Sequence, residues 1–241
     1  MTTYLYVDMG FKAMMLFPTL WKKINKVLSI DRALGELILP TGINSPRLLA
    51  AWRAPETFDE AQVYQPAEDS WLLAQAAKNE VKPFDRILEI GVGSGAISEQ
   101  FSKTHFVVGT DINPHAVYLA GTKGIHVIRT DLFSGICARF DLILFNPPYL
   151  PTKPEERIND WLEYALDGGE DGCDTIERFF AEAQSYLTDN GRALVLFSSL
   201  HKQIRVREIL QTHGWDSSLV LDETVEGERL YVLRCVPHSL K

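Results

Sequence analysis

RILEIGVGSG, residues 86–95, is an apolar run that breaks into glycine at every second position. Arg86 to Ile90 has the length and branched residues of a buried strand, and Gly91, Gly93 and Gly95 let the backbone turn sharply behind it, toward a helix. A strand, a glycine loop and a helix in that order open a βαβ unit. The rhythm repeats downstream. FVVGTD (106–111), IHVIRTD (125–131), FDLILFN (140–146) and RALVLFSS (192–199) are further strand candidates, separated by stretches of helical period or polar loops. Strands alternating with helices need right-handed crossovers, which predicts a mostly parallel sheet covered on both faces.

The last part changes character. WDSSLVLDET (215–224) and ERLYVLRCV (228–236) flank a Val225-Glu226-Gly227 turn region, and two strand-like runs across so short a turn form an antiparallel hairpin. The expected fold class is therefore α/β: a Rossmann-like, seven-stranded, mostly parallel sheet with a C-terminal antiparallel hairpin. Ala67 to Lys78 is expected to be a helix with Glu68 and Asp69 in its first turn, where the dipole favours acids. Further upstream, Leu20 to Leu39 has helical spacing and residues 39–58 are rich in proline and turn formers. Residues 1–60 thus read as a small N-terminal extension without a legible function, and 61–241 as the main domain.

Composition narrows the class. A chain of 241 residues, 46% of them hydrophobic, suits one domain with an appendage or two small domains. Its net charge of −8 argues against a broad basic footprint for duplex nucleic acid. Cys137, Cys173 and Cys235 are odd in number and lack metal-like spacing, the pattern of reduced cytoplasmic thiols, so no metal site is expected. The N-terminus has no basic stretch before its apolar part and no cleavage pattern, and Pro18 interrupts a run too short to span a bilayer. Neither export nor membrane insertion is expected.

The strand ends carry the chemistry. Asp111 closes the second strand about 20 residues past the first glycine, where a carboxylate accepts from both hydroxyls of a ribose. Asp131 closes the third, and with Leu132 and Phe133 behind it could receive an adenine amine while apolar neighbours hold the ring. A capping or buried aspartate is the plainer alternative at each position, but acids at the ends of successive parallel strands converge on the crevice where open α/β sheets bind ligands. Gly91, Gly93 and Gly95 would let the backbone pass close to the bound ligand and are expected cofactor contacts, and Glu89, just ahead of them, would repel a pyrophosphate and suits a cation. Glu-x-Gly-x-Gly-x-Gly also differs from the GxGxxG of dinucleotide enzymes. S-adenosylmethionine has a ribose, an adenine, an ammonium and a sulfonium and no phosphate, so it fits this acidic rim better than a dinucleotide.

The fourth strand ends in Asn146-Pro147-Pro148-Tyr149, where two prolines remove two backbone donors and fix two φ angles. Asn146 would then offer its carbonyl oxygen to a substrate NH₂, Pro147 its backbone carbonyl to the second hydrogen, and Tyr149 its ring to a planar group. An amide or aromatic amine nitrogen is a poor nucleophile. Two acceptors on its hydrogens favour the positive charge that builds on nitrogen as it attacks a methyl group.

These residues resemble a known family: class I S-adenosylmethionine-dependent methyltransferases with an NPPY motif, and within them the HemK-type glutamine methyltransferases of translation release factors, closest to the short archaeal and eukaryotic branch. VYQPAEDSWLL (63–73), LEIGVGSG (88–95), FNPPYLP (145–151) and WLEYALDGGEDGCDTIERFF (161–180) carry the resemblance. It implies that Glu89, Gly91, Asp111, Asp131 and Leu132 contact the cofactor, that Asn146 with Pro147 holds the substrate amide, and that Ser70, where the family often has threonine, is a further cofactor contact. It implies as substrate the glutamine of a Gly-Gly-Gln loop in a class 1 release factor. It also raises a small zinc-binding activator subunit, paired along the sheet edge at the third strand. The first 60 residues match neither the short branch nor the helical domain of the longer bacterial enzymes.

The alternative acceptor is an exocyclic adenine or guanine amine of RNA or DNA, since the motif serves any planar NH₂. Base flipping needs basic strand contacts, and the cationic cluster at 201–207 with Arg157 reads equally as a solvated helix face. A cofactor-binding scaffold without catalysis would have a degraded motif, whereas this one is intact. His105, His126 and His213 read as surface or turn residues, and Trp71, Trp161 and Trp215 as packing.

Overall fold

The computed structural model describes residues 55, 57–201 and 203–238. The expectations for Leu20–Leu39 and most of the N-terminal extension lie outside them. In chain order the elements are α1 (Glu68–Glu80), β1 (Arg86–Ile90), β2 (Phe106–Asp111), α2 (Pro114–Thr122), β3 (His126–Arg129), β4 (Phe140–Phe145), a short α3 (Glu163–Leu166), α4 (Asp174–Glu182), β5 (Leu187–Ser198), α5 (Gln203–Thr212), β6 (Trp215–Val225) and β7 (Glu228–Pro237).

The sheet has seven strands in the order β3-β2-β1-β4-β5-β7-β6. β1 to β5 pair in parallel, and β7 runs antiparallel between β5 and β6, as the expected hairpin requires. β4 shows why its sequence is continuously apolar: Leu142 and Leu144 pack under α1, while Ile143 and Phe145 pack with Phe179 of α4. Both faces are covered. The order reverses between β1 and β4, so the crevice of the fold opens over their C-terminal ends.

Three local outcomes differ from the sequence reading. Behind the glycine loop only a short 3₁₀ turn forms, Ser98–Gln100, in place of a helix. The cause is Glu89: its carboxylate accepts from Ser98 N–H at 3.0 Å, the donor a regular helix would give to residue 94. β5 starts at Leu187, earlier than Arg192, with a register shift against β4. Trp71 is not a packing residue but 51% exposed, because the buried face of α1 runs through Leu72, Leu73, Ala76 and Ala77. Trp215 does pack, its indole N–H donating to Phe180 O at 3.0 Å.

At the opposite end of the sheet from the crevice, Arg192 is 1% exposed. It donates to Asp141 O at 2.9 Å and to Asp85 Oδ2 at 2.8 Å, and also to Glu80 O, tying β5 to β4, to the entrance of β1 and to the end of α1. Among the described residues no helix is long and apolar enough to cross a membrane.

Candidate active site

A cavity of about 340 Å³ lies over the C-terminal ends of β1, β2 and β4. Its walls include Ser70, Glu89, Gly91, Gly93, Asp111, Asp131, Leu132, Asn146, Pro147 and Tyr149, so the fold gathers nearly every site residue expected from sequence into one space. Gly95 is placed elsewhere. With φ at +79° it turns the loop behind the wall, and a Cβ there would stand 2.7 Å from Ile125 Cδ1 and 3.2 Å from the α2 backbone, so its role is close packing of the loop on α2.

The floor is acidic. Asp111 caps its own turn, accepting from Gly93 N–H and Asn113 N–H at 2.9 Å each. Burial pushes its carboxyl up to about 6, against the pull of those backbone donors. Glu89, 3% exposed, accepts from both the amide and the hydroxyl of Ser98, yet burial still carries it to about 8. Glu89 is buried and Asp111 half-buried, and for both the loss of water around the carboxyl disfavours the charged form, which a facing cation or hydroxyl donor would favour. Asp131 stands at the rim with its Oδ2 2.7 Å from Arg178 Nη2, and Leu132 beside it is buried with φ at +47°.

Asn146 is held from behind. Its Nδ2 donates to Asp69 Oδ2 at 3.1 Å, and Tyr64 Oη donates to the same oxygen at 3.1 Å. Asp69 is 3% exposed at the start of α1, and its other oxygen accepts from Ser70 N–H at 2.5 Å and Ser70 Oγ at 3.1 Å. A carboxylate only accepts, so the amide nitrogen must face it and the amide oxygen is left as the free acceptor. That oxygen, Asn146 Oδ1, is buried without a hydrogen-bond partner. Desolvation first, and the charge of Asp69 next, keep the Tyr149 phenol protonated by raising its pKa.

A strap closes one side of the cavity. Asp59 N–H donates to His115 Nδ1 at 3.0 Å, Asn113 Nδ2 to Gln62 O at 2.7 Å, and Trp161 N–H to Gln62 Oε1 at 2.9 Å. Trp161 is thus a cavity wall rather than packing, with the Arg129 guanidinium 5.3 Å above its ring.

Sequence reasoning missed Tyr64, Asp69 and the wall role of Trp161; Asp69 stood in the PAED stretch, and an acid fixed at a helix start beside the site was the available signal. Arg178, which lines the cavity, is tied to Asp131 at 2.7 Å, and Arg157 and Arg205 are likewise paired, to Asp167 at 3.0 Å and to Glu177 at 2.5 Å. Among the described residues no group of three or more His, Cys, Asp or Glu side chains could hold a metal ion.

No family model matches the chain. It is 41% identical over 180 residues to a putative protein N5-glutamine methyltransferase of Methanocaldococcus jannaschii, covering 71% of this chain and 90% of that one. It is 33% identical over 189 residues to methyltransferase HEMK2 of Mus musculus, covering 71% and 88%. A release factor glutamine methyltransferase of Deinococcus radiodurans is 30% identical over 190 residues, covering 72% and 67%. Among solved structures, the E. cuniculi Mtq2-Trm112 complex, described as responsible for methylation of the eRF1 termination factor, aligns with TM-score 0.58 and 27% identity over 74% of this chain and 99% of the matched one.

Proposed function

The chain belongs to the HemK-type family of S-adenosylmethionine-dependent protein-glutamine N-methyltransferases, and from that membership we propose that its acceptor is the side-chain amide of the glutamine in the Gly-Gly-Gln loop of a class 1 release factor. One observation carries the reading: on Asn146, which lines the cavity, the amide nitrogen is bound to Asp69 and the amide oxygen Oδ1 has no hydrogen-bond partner. An oriented acceptor with no donor in the protein is a site for a substrate NH₂.

The cavity suits the cofactor. Asp111 would take the ribose hydroxyls, Glu89 the ammonium side, and Asp131 with Leu132 the adenine; Gly91, Gly93 and Ser70 would line its path. When bound, the cofactor supplies an electrophilic methyl on a sulfonium. The protein's own part is to hold the acceptor: Asn146 Oδ1 and the Pro147 carbonyl take its two amide hydrogens, and Tyr149 packs on its plane. As positive charge grows on the nitrogen, both acceptors and the Asp69 carboxylate behind them bind it more tightly, which lowers the barrier, and the methylated nitrogen then loses one of its two protons to water, so no strong base is required.

The same reading takes residues 61–241 as the methyltransferase unit and a cytoplasmic setting, consistent with free thiols at Cys137, Cys173 and Cys235. Mtq2 was solved with Trm112, and we extend that to a small activator here, zinc-binding and seated at the β3 edge. The test is tritiated methyl transfer to the host's purified release factor and, separately, to its total RNA. Label on the factor, lost when the loop glutamine is replaced, supports the proposal; label on RNA alone overturns the acceptor and moves the enzyme to exocyclic base amines.

A further inference from the structure

Residues 150–152 are zipped beside 166–169. Leu150 N–H donates to Leu166 O and Gly168 N–H to Leu150 O at 3.0 Å each, and Thr152 N–H donates to Gly169 O at 2.9 Å. Gly172 follows so closely that a Cβ on it would stand 2.6 Å from Tyr149 O and 3.3 Å from the His201 ring. His201, at the head of the 201–207 cluster, is 2% exposed. Its Nε2 lies 3.1 Å from Gly172 O and its Nδ1 3.3 Å from Ser198 N. A carbonyl only accepts and an amide N–H only donates, so the ring is neutral with its proton on Nε2. It meets the Tyr149 and Phe197 rings edge-on, centroids 6.1 and 6.0 Å away.

We propose that His201 is a positioning residue for the methyl-acceptor site: as the neutral Nε2–H tautomer it pins the Gly172 carbonyl and braces the ring of Tyr149 from behind. This rests on the methyltransferase reading above. His201 lies outside the cavity wall and acts through Tyr149 and the 166–172 loop. A proton added at Nδ1 would point at the Ser198 N–H, donor against donor, and would open the knot. Burial holds the imidazole below its ordinary range, against the pull of Asp171 in the loop and Glu228 of β7. Arg205 of α5 is paired with Asp171 rather than with the ring. The brace therefore holds at neutral pH and fails on the acid side.

The experiment compares wild type, His201→Leu and His201→Gln in steady-state kinetics from about pH 5.5 to 8.5, with S-adenosylmethionine saturating so that Glu89 and Asp111 are not read. His201→Leu should lower kcat/KM for the release factor about tenfold, mainly through KM, with cofactor affinity within about twofold of wild type. His201→Gln keeps a donor for Gly172 O and an acceptor for Ser198 N–H and cannot take up a proton. It should restore activity at alkaline pH and lack the acid limb of wild type. Unchanged kcat/KM in the Leu variant, or a wild-type acid limb in the Gln variant, overturns the proposal; should the Leu variant not fold, the Gln profile decides alone. If wild type labels RNA instead, the release-factor reading falls and the same variants, read with RNA, decide the role of His201.

Discussion

Asp69 Oδ2 lies 3.1 Å from Asn146 Nδ2, and this contact between residues 77 positions apart fixes which way round the amide sits. Asn146→Ala removes an acceptor used mainly in the transition state and should cut turnover by about 10²-fold while sparing cofactor binding. Asp69→Ala leaves the amide free to turn its NH₂ toward the acceptor, and should cost about tenfold or more in kcat. Single-turnover rates beside cofactor calorimetry check both; full turnover in Asn146→Ala would sink the role given to it.

Asp111 holds its turn through Gly93 and Asn113 and offers the remaining lone pairs to the cavity. Asp111→Ala should weaken cofactor binding by about 1–3 kcal/mol, the cost of leaving ribose hydroxyls unpaired. Equal calorimetric affinities for mutant and wild type would refute that placement.

Glu89 gives a pH dependence with a definite sign. Its folded pKa, about 8, is raised from the ordinary 4.5, so the folded chain keeps a proton that the unfolded chain releases. That contribution to stability is full below about 4.5 and is lost as pH rises through about 8. Cofactor-free protein should therefore melt progressively lower across this range, with a flatter profile in Glu89→Gln. Cofactor binding should strengthen as Glu89 ionises and release protons, measurable by calorimetry in buffers of different ionisation enthalpy. A Glu89→Gln melting profile identical in slope to wild type would contradict the assignment.

Arg192 is buried among Asp85, Glu80 and Asp141 far from the cavity. Arg192→Leu leaves Asp85 buried without its cation and should cost about 3–5 kcal/mol in urea unfolding. The folded fraction should keep wild-type cofactor affinity; a small loss of stability would show that the network is solvated.

Sheet, hairpin and cavity floor were legible because they are written locally: alternating apolar runs, glycines at a turn, acids at strand ends. Asn146 was legible because two prolines isolate it. The groups that orient these residues were not, because they arrive from far along the chain. Tyr64 and Asp69 meet Asn146 only once α1 docks under β4, and Gln62 reaches Trp161 across 99 positions. Gly95 was misplaced for a related reason: a glycine serving close packing and one serving a ligand look alike in sequence. The missing helix after the loop is likewise tertiary, since a buried acid on β1 captured the donor that local propensity would have used.

The strap from Asp59 to Tyr64 is tied to the cavity side of the fold by hydrogen bonds. It has no strand of its own and packs little core, so a protease cutting after Gln65 would leave sheet and helices standing. Yet that cut would leave the strap held to Asn113, Trp161 and Asp69 by those hydrogen bonds without the covalent tie to α1.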